Sequence, residues 1–151
     1  MDTLQLLAPE ISITIIAFAI ITLDIMWKDE RKSGRVLPWV AFAGGIWTFL
    51  MIVYVWWYAE SDSFMAATDP DGLVPMLAVD NMALFFKMLA VLTVILVGLS
   101  AGEYIEKHTP FRGEFYGLAL LATLSLMLLM SATNLIMIYL ALEFLSISSY
   151  I

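Results

Sequence analysis

Residues 134–151 read NLIMIYLALEFLSISSYI, an apolar run with a single carboxylate, Glu143. At about 1.5 Å of rise per residue, Glu143 would lie ~13 Å beyond Asn134, near the middle of a hydrocarbon layer ~30 Å thick. Placing Asp, Lys or Arg at such a depth costs ~2.5–3.5 kcal/mol, so charged residues there usually face a protein interior or a wet cavity. The run therefore predicts a membrane helix and, at Glu143, a residue that transfers protons.

The composition of the whole chain also indicates a membrane protein. Of its 151 residues, 62% are hydrophobic and only 14% are charged. The first apolar segment lacks the basic region and cleavage site of a secretory signal, so we expect it to be retained. The sequence predicts an all-α integral membrane protein, a single bundle over residues 1–151. Its five membrane helices are expected at residues 4–27, 36–59, 77–99, 115–132 and 134–151.

The chain lacks the residues that redox or nucleotide chemistry would need. It has no cysteine and one histidine, His108, which excludes a thiolate-ligated iron–sulfur cluster, a disulfide and a Cys/His zinc site within this chain. Its glycine pair, Gly44-Gly45, lies in an apolar segment and not in the strand–turn–helix context of a phosphate-binding loop. We therefore expect no cofactor, metal or nucleic acid to bind this chain.

The distribution of basic residues predicts the orientation in the membrane. Six of the seven basic residues fall in the first and third loops, and the second loop contains four acids. Because short cytoplasmic loops are enriched in Lys and Arg, the first and third loops should be cytoplasmic and the N-terminus outside. The net charge of −7 then reflects an acidic outer face. The basic loop residues are Lys28, Arg31, Lys32, Arg35, Lys107 and Arg112.

A polar face follows the fifth predicted helix. Tyr139, Glu143, Ser146 and Tyr150 are spaced at helical intervals, so three hydroxyls and a carboxylate share one side. This arrangement is typical of a proton wire. The alternative is hydrogen bonding between helices, worth ~0.6 kcal/mol per contact. A neutral Gln would serve that purpose at lower cost, so the carboxylate favours proton transport.

Lys87 is the second charged residue inside an apolar segment. It lies about two helical turns beyond Asp80, on roughly the same face. Lys87 either titrates during transport, extends its ammonium toward the membrane surface or pairs with an acid, and periodicity alone does not choose among these roles. Asp24 and Asp80 lie near segment ends, and Glu10 belongs to the outer turn of the first helix. These three acids rank below Glu143.

Short motifs predict how the helices connect and pack. Residues 131–134 form a very short connection, so the fourth and fifth helices should be antiparallel neighbours, with Thr133 or Asn134 capping the fifth. Residues 98–102 fit GxxxG, and residues 41–45 fit the looser pattern of small residues four apart. Both patterns allow helix backbones to approach closely.

Residues 114–151 also carry a family pattern. They combine an E-F-Y start, a small and apolar fourth helix, an S-A-x-N-L turn and the motif Y-L-x-L-E-x-L-S-x-S-x-Y. The L-A-P-E opening at residues 7–10 and the D-N and F-F-K pairs within residues 80–87 are similar to the same family. The chain resembles the N subunits of proton-pumping NADH-quinone oxidoreductase, respiratory complex I, which are related to the Mrp-type cation/proton antiporters.

The resemblance implies that Glu143 is the fifth-helix glutamate of a proton channel, paired with a lysine on a later helix. It implies that the chain is the N-terminal portion of a longer subunit and the start of an antiporter-like inverted repeat. FMN, iron–sulfur clusters and quinone would be bound by partner subunits. The expected partners are lipids and the antiporter-like and small membrane subunits of the complex. The expected location is the bacterial inner membrane, with the N-terminus periplasmic.

Two other functions remain open at the level of sequence. The chain could be a structural or assembly subunit that carries no ions, or part of an Mrp-type cation/proton antiporter. Substitution of Glu143 by glutamine separates proton transport from a purely structural role. Co-purification with flavin and iron–sulfur subunits separates the respiratory complex from an antiporter.

Overall fold

A computed structural model describes residues 6–26, 30–61, 76–108 and 112–150. Within these ranges the chain is helical and has no β-strand, which confirms the predicted all-α membrane fold. The first four helices are long and apolar enough to cross a membrane, whereas the fifth has 16 residues. The helices are α1 (Ala8–Met26), α2 (Glu30–Ser61), α3 (Asn81–His108), α4 (Arg112–Ser131) and α5 (Leu135–Tyr150).

Helices α2 and α3 extend beyond the apolar segments that the sequence outlines. Their apolar windows are Val36–Tyr58 and Asn81–Gly102, close to the predicted spans, but the helices continue into polar residues. The helices continue there because helical hydrogen bonds satisfy the backbone N–H and C=O groups, whether the side chains are apolar or polar. The basic residues 31–35 therefore belong to the first turns of α2. Lys28 and most of the predicted second loop, with its acids at positions 62–71, lie outside the described residues.

Helix α4 is at the centre of the bundle. It packs against α1, α2 and α3 and is the main neighbour of α5; α2 also packs against α1 and α3. The short connection from α4 to α5 makes them antiparallel neighbours, as predicted. Buried apolar side chains from the first four helices form one continuous core, whose members include Ile13, Ala17, Ile20, Leu37, Ile52, Leu84, Val91, Leu120, Leu124 and Met127.

Glycines bring helix α1 close to two of its neighbours. A Cβ atom added at Gly117 on α4 would lie 2.5 Å from Cγ1 of Ile21, and one added at Gly44 on α2 would lie 2.5 Å from Cγ2 of Ile16. Such distances are far below van der Waals contact, so only glycine permits these approaches. The contacts also fix the axial register of α1 against α2 and α4.

The GxxxG motif does not form the closest helix contact. A Cβ at Gly98 or Gly102 would meet the Tyr116 side chain at 3.7 or 3.4 Å, which is ordinary contact. The second small-residue motif is more tightly packed, because a Cβ at Gly45 would lie 2.8 Å from Ile95. Small residues therefore allow close helix packing here, and the approach is closer at Gly45 than at Gly98 or Gly102.

Two side chains cap helices at the same end of the bundle, which we call the capped end. The Asp80 carboxylate accepts a hydrogen bond from the Ala83 backbone N–H at 2.6 Å, and the Asn134 side-chain oxygen accepts one from Met137 at 2.8 Å. Asn134 is therefore the cap of α5, and α3 begins after Asp80. Residues 77–79 are apolar, which is why hydropathy extends the third segment to residue 77.

An extended segment before α3 pairs with the α4–α5 connection. Ala78 donates its backbone N–H to the Ser131 carbonyl at 2.7 Å, and Thr133 donates to the Met76 carbonyl at 3.0 Å. Leu77 and Ala132 form an isolated antiparallel bridge between them. Backbone groups near a membrane must find partners within the protein. This pairing provides them and joins the start of α3 to the end of α4.

Replacing Asn134 by alanine is expected to lower the free energy of unfolding by about 1 kcal/mol, because the first turn of α5 loses a hydrogen-bond acceptor. Asn134→Asp retains an acceptor and should be close to the wild type. Thr133→Ala is the matched control, and thermal unfolding of the purified protein in detergent provides the measurement. A larger loss for Thr133→Ala than for Asn134→Ala would contradict the assignment of the cap.

Candidate functional site

Lys87 and Glu10 form a buried ion pair between α3 and α1. The Lys87 Nζ lies 2.6 Å from Oε1 of Glu10, and the two side chains are 0% and 6% exposed. Lys87 is one of the largest fully buried side chains in the described part of the chain. Of the roles that the sequence left open for Lys87, the structure shows pairing with an acid and not extension toward the membrane surface.

The two partners are brought together by the positions of their helices. Glu10 is the third residue of α1, and Lys87 is ~10 Å along α3 from Asp80 at about 1.5 Å per residue. Ile21 of α1 lies opposite Gly117 of α4, and the two helices run antiparallel. The first turn of α1 therefore lies beside the last turns of α4. Both partners therefore reach the bundle interior near the capped end.

The pair has few other polar contacts. Nζ of Lys87 and both carboxylate oxygens of Glu10 are buried and form no hydrogen bond of good geometry with another described group. The same holds for Oγ of Ser131, a residue only 2% exposed at the end of α4. Buried ion pairs are well compensated only when further hydrogen bonds satisfy the remaining protons and lone pairs. The capped end therefore contains several buried polar groups whose hydrogen-bonding capacity is unused.

Glu143, unlike the buried ion pair, lies on an exposed face of its helix, α5. Tyr139 and Tyr150 are 62% and 92% exposed, and Glu143 and Ser146 are also exposed. Tyr139 precedes Glu143 by four residues, so the hydroxyl and the carboxylate lie on the same face of α5. Helix α5 packs on α4 through another face, so the predicted polar face points away from the bundle. No basic side chain from residues 6–26, 36–58 or 76–102 forms an ion pair with Glu143.

Glu143 and Lys87 lie at similar depths. Helices α3 and α5 both begin at the capped end, and Glu143 is ~13 Å along α5 from Asn134 while Lys87 is ~10 Å from Asp80. Glu143 faces outward and Lys87 faces inward, with α4 between their helices. The structure thus places two ionisable groups at one level of the bundle without bringing them together.

Sequence reasoning missed Glu10 as a functional candidate. Its position in the outer turn of α1 was predicted, but its burial and its contact with Lys87 were not. The available signal was an acid directly after Pro9 at the start of an apolar run. The other two secondary acids differ from it: Asp80 is exposed and caps α3, and the Asp24 side chain lies against Gly113.

No cluster of side chains in the described ranges provides a metal site. Groups of three or more His, Asp or Glu residues close enough to hold a metal ion do not occur there. A pocket of about 150 Å³ lies among α2, α3 and α4, and its lining is mainly apolar. Its lining includes Pro38, Trp39, Phe42, Val94, Ile95, Gly98, Phe115, Tyr116 and Leu120.

Known proteins are similar to this chain over nearly its whole length. No protein-family model matches the chain. It is 32% identical over 148 residues, 98% of its length, to NADH-quinone oxidoreductase subunit N of Desulfitobacterium hafniense. The chain resembles subunit N of NADH-quinone oxidoreductase. The resemblance that the motifs predicted is thereby confirmed.

Relatives of subunit N from other lineages show the same extent of similarity. The chloroplastic NAD(P)H-quinone oxidoreductase subunit 2 of Mesostigma viride is 31% identical over 143 residues, and subunit 2 of Synechocystis is 28% identical over the same length. Each of these two alignments covers 95% of this chain. The chain spans only about a quarter of the curated relatives, 25–28% of their length.

Proposed function

We propose that this chain is part of a proton-translocating, antiporter-like membrane subunit of an NADH-quinone oxidoreductase. The similarity to subunit N and the four membrane-length helices support this function. Electrons would pass from NADH to quinone in partner subunits that bind FMN and iron–sulfur clusters. This chain would contribute no redox chemistry and would respond to that electron transfer by moving protons.

The outward-facing carboxylate of Glu143 is the observation that carries the proposal. An acid at mid-helix within a membrane is stable only against protein or a water-filled cavity. Glu143 faces away from α1–α4, so its partner must come from further helices. A lysine on such a helix would keep the carboxylate ionised, and its withdrawal would favour proton uptake by Glu143. Tyr139, Ser146 and Tyr150 extend the polar face on either side of Glu143.

We place this subunit in a bacterial plasma membrane with the capped end outside. The basic residues near the α1–α2 and α3–α4 connections support this orientation, since such residues are enriched on the cytoplasmic side. The partial coverage of the relatives supports a longer subunit of which residues 1–151 are one portion. Other membrane subunits and lipids would then cover the exposed apolar surface of the five helices.

Glu143→Gln is expected to remove this subunit's share of proton pumping while the complex still assembles. Glutamine has nearly the same shape and retains hydrogen bonding, but it cannot carry the proton. The measurement is proton uptake by inverted membrane vesicles, divided by the rate of electron transfer from NADH to quinone. Glu114→Gln, at an exposed position in the first turn of α4, is the matched control.

Three outcomes separate the possible functions. Normal pumping per electron in an assembled Glu143→Gln complex would refute the role of this residue. Reduced assembly with normal pumping per assembled complex would instead favour a structural subunit. Co-purification with membrane proteins alone, without flavin and iron–sulfur subunits, would favour a cation/proton antiporter.

A further inference from the structure

We propose that Glu10 and Lys87 form a second proton-binding site, in which the Glu10 carboxylate binds the proton and Lys87 is the positioning cation. The site lies on α1 and α3, away from the outward face of α5 that carries Glu143. The inference rests on the proposed function, namely that the subunit translocates protons. It extends that function to the helices that precede α4.

Stability does not account for a charged pair at this position. Lys87 is fully buried, and the Glu10 side chain is 6% exposed. Replacing a buried ion pair by apolar residues of similar volume is often neutral or stabilising. The surrounding core is apolar and would accept such residues, with Leu84, Val91 and Met127 among its members. The two charges therefore indicate a function that requires ionisable groups.

The unused hydrogen-bonding capacity of the pair supports proton exchange. A lysine ammonium has three protons, and the Lys87 Nζ contacts one carboxylate oxygen, Oε1 of Glu10. Oε2 of Glu10 is buried and has no hydrogen-bond partner among the described groups. Buried polar groups of this kind are usually satisfied by internal water. Oε2 is therefore the atom that is available to receive a proton.

The position of Glu10 gives the site a route to one side of the membrane. As the third residue of α1, Glu10 lies about 3 Å from the helix start at the capped end. The unpartnered hydroxyl of Ser131 is buried at the same end. Lys87 is the one charged side chain that contacts Glu10 among the described residues, and residues 124–131 of α4 contain no titratable side chain.

The step forms and breaks only O–H bonds. A hydronium ion at the capped end transfers a proton to Oε2 of Glu10 and leaves water behind. Glu10 becomes a neutral carboxylic acid, the ion pair is lost, and Lys87 keeps its positive charge. Release breaks the O–H bond at Oε2, transfers the proton to a water molecule and restores the pair; it contributes to transport when that water leads to the side opposite the capped end. A cation held beside the carboxylate favours release, because it stabilises the anion.

The test uses the assembled complex and compares Glu10→Gln/Lys87→Met with the wild type. The double variant contains no unpaired buried charge, so we expect near-normal assembly. We also expect the loss of the protons that this site contributes per electron transferred. Lys87→Arg, which keeps a cation, should retain most of the pumping. Normal pumping per electron in the double variant would overturn the proposal, because a purely structural pair should tolerate joint neutralisation.

Two further measurements keep the outcomes distinct. Glu143→Gln is measured in parallel: reduced pumping there with normal pumping in the double variant would reject this site alone, whereas normal pumping in both would reject the proposed function as well. If the double variant does not assemble, infrared difference spectra between acid and alkaline pH decide. A carboxylic-acid band that disappears in Glu10→Gln supports the site, and persistence of every such band overturns it.

Discussion

Lys87→Met alone is expected to lower the free energy of unfolding by about 3–5 kcal/mol, the usual cost of removing one partner from a buried ion pair. The Glu10 side chain is 6% exposed and contacts no other cation within the described residues, so its carboxylate would be left in an apolar interior. Methionine fills similar space, which limits any loss of packing. Thermal unfolding of the purified full-length protein in detergent provides the measurement.

The same experiment requires two companion variants. Glu10→Gln/Lys87→Met should recover most of the lost stability, since neither residue then carries a buried charge. Lys87→Arg should lose less than Lys87→Met, because the cation is retained. A double variant as unstable as the single one would show that shape and not charge compensation determines the role of Lys87. In that case the ion pair would contribute little to linking α1 with α3.

Gly117→Ala is expected to destabilise the protein by about 1–3 kcal/mol, the range typical of overpacking. Intrinsic helix propensity acts in the other direction, since alanine is favoured over glycine by about 1 kcal/mol in a helix interior. The packing cost exceeds this gain because the new Cβ would lie 2.5 Å from Cγ1 of Ile21 and 3.0 Å from its Cδ1. Ile21 would have to change its side-chain conformation, or α1 and α4 would have to separate.

Gly98→Ala is the matched control for this substitution. It makes the same change in a membrane helix, but its Cβ would meet only the Tyr116 ring, at 3.7 Å. We expect Gly98→Ala to be neutral or slightly stabilising. Truncating the opposing side chain in Gly117→Ala/Ile21→Ala should remove the clash. Equal unfolding midpoints for Gly98→Ala and Gly117→Ala would show that α1 and α4 are not closely packed at Gly117.

The sequence predicts the membrane helices because apolar length alone determines them. The short connection at residues 131–134 also predicts that α4 and α5 are neighbours, and Asn134 was one of two expected caps. The start of α3 was harder to predict, since residues 77–79 are apolar whether they are helical or extended. What decides that boundary is the side-chain acceptor of Asp80 together with pairing to residues distant in sequence.

The ion pair could not be derived from the sequence. Glu10 and Lys87 belong to helices that are far apart along the chain. The two residues meet because α1 and α3 both pack against α4 and α2. Periodicity identifies which residues share a face of a helix, but it does not say where that face points. The polar face of Tyr139, Glu143, Ser146 and Tyr150 was therefore predicted as a set, while its outward direction required the structure.

The backbone pairing of residues 76–78 with residues 131–133 ties the start of α3 to the α4–α5 connection. Its hydrogen bonds involve no side chains, so it does not depend on the charge of either ionisable group. A shift of residues 131–133 along residues 76–78 by one position would break both bonds, whereas tilting about the pairing would preserve them. Tilting about this end therefore keeps Lys87 and Glu143 at matched heights.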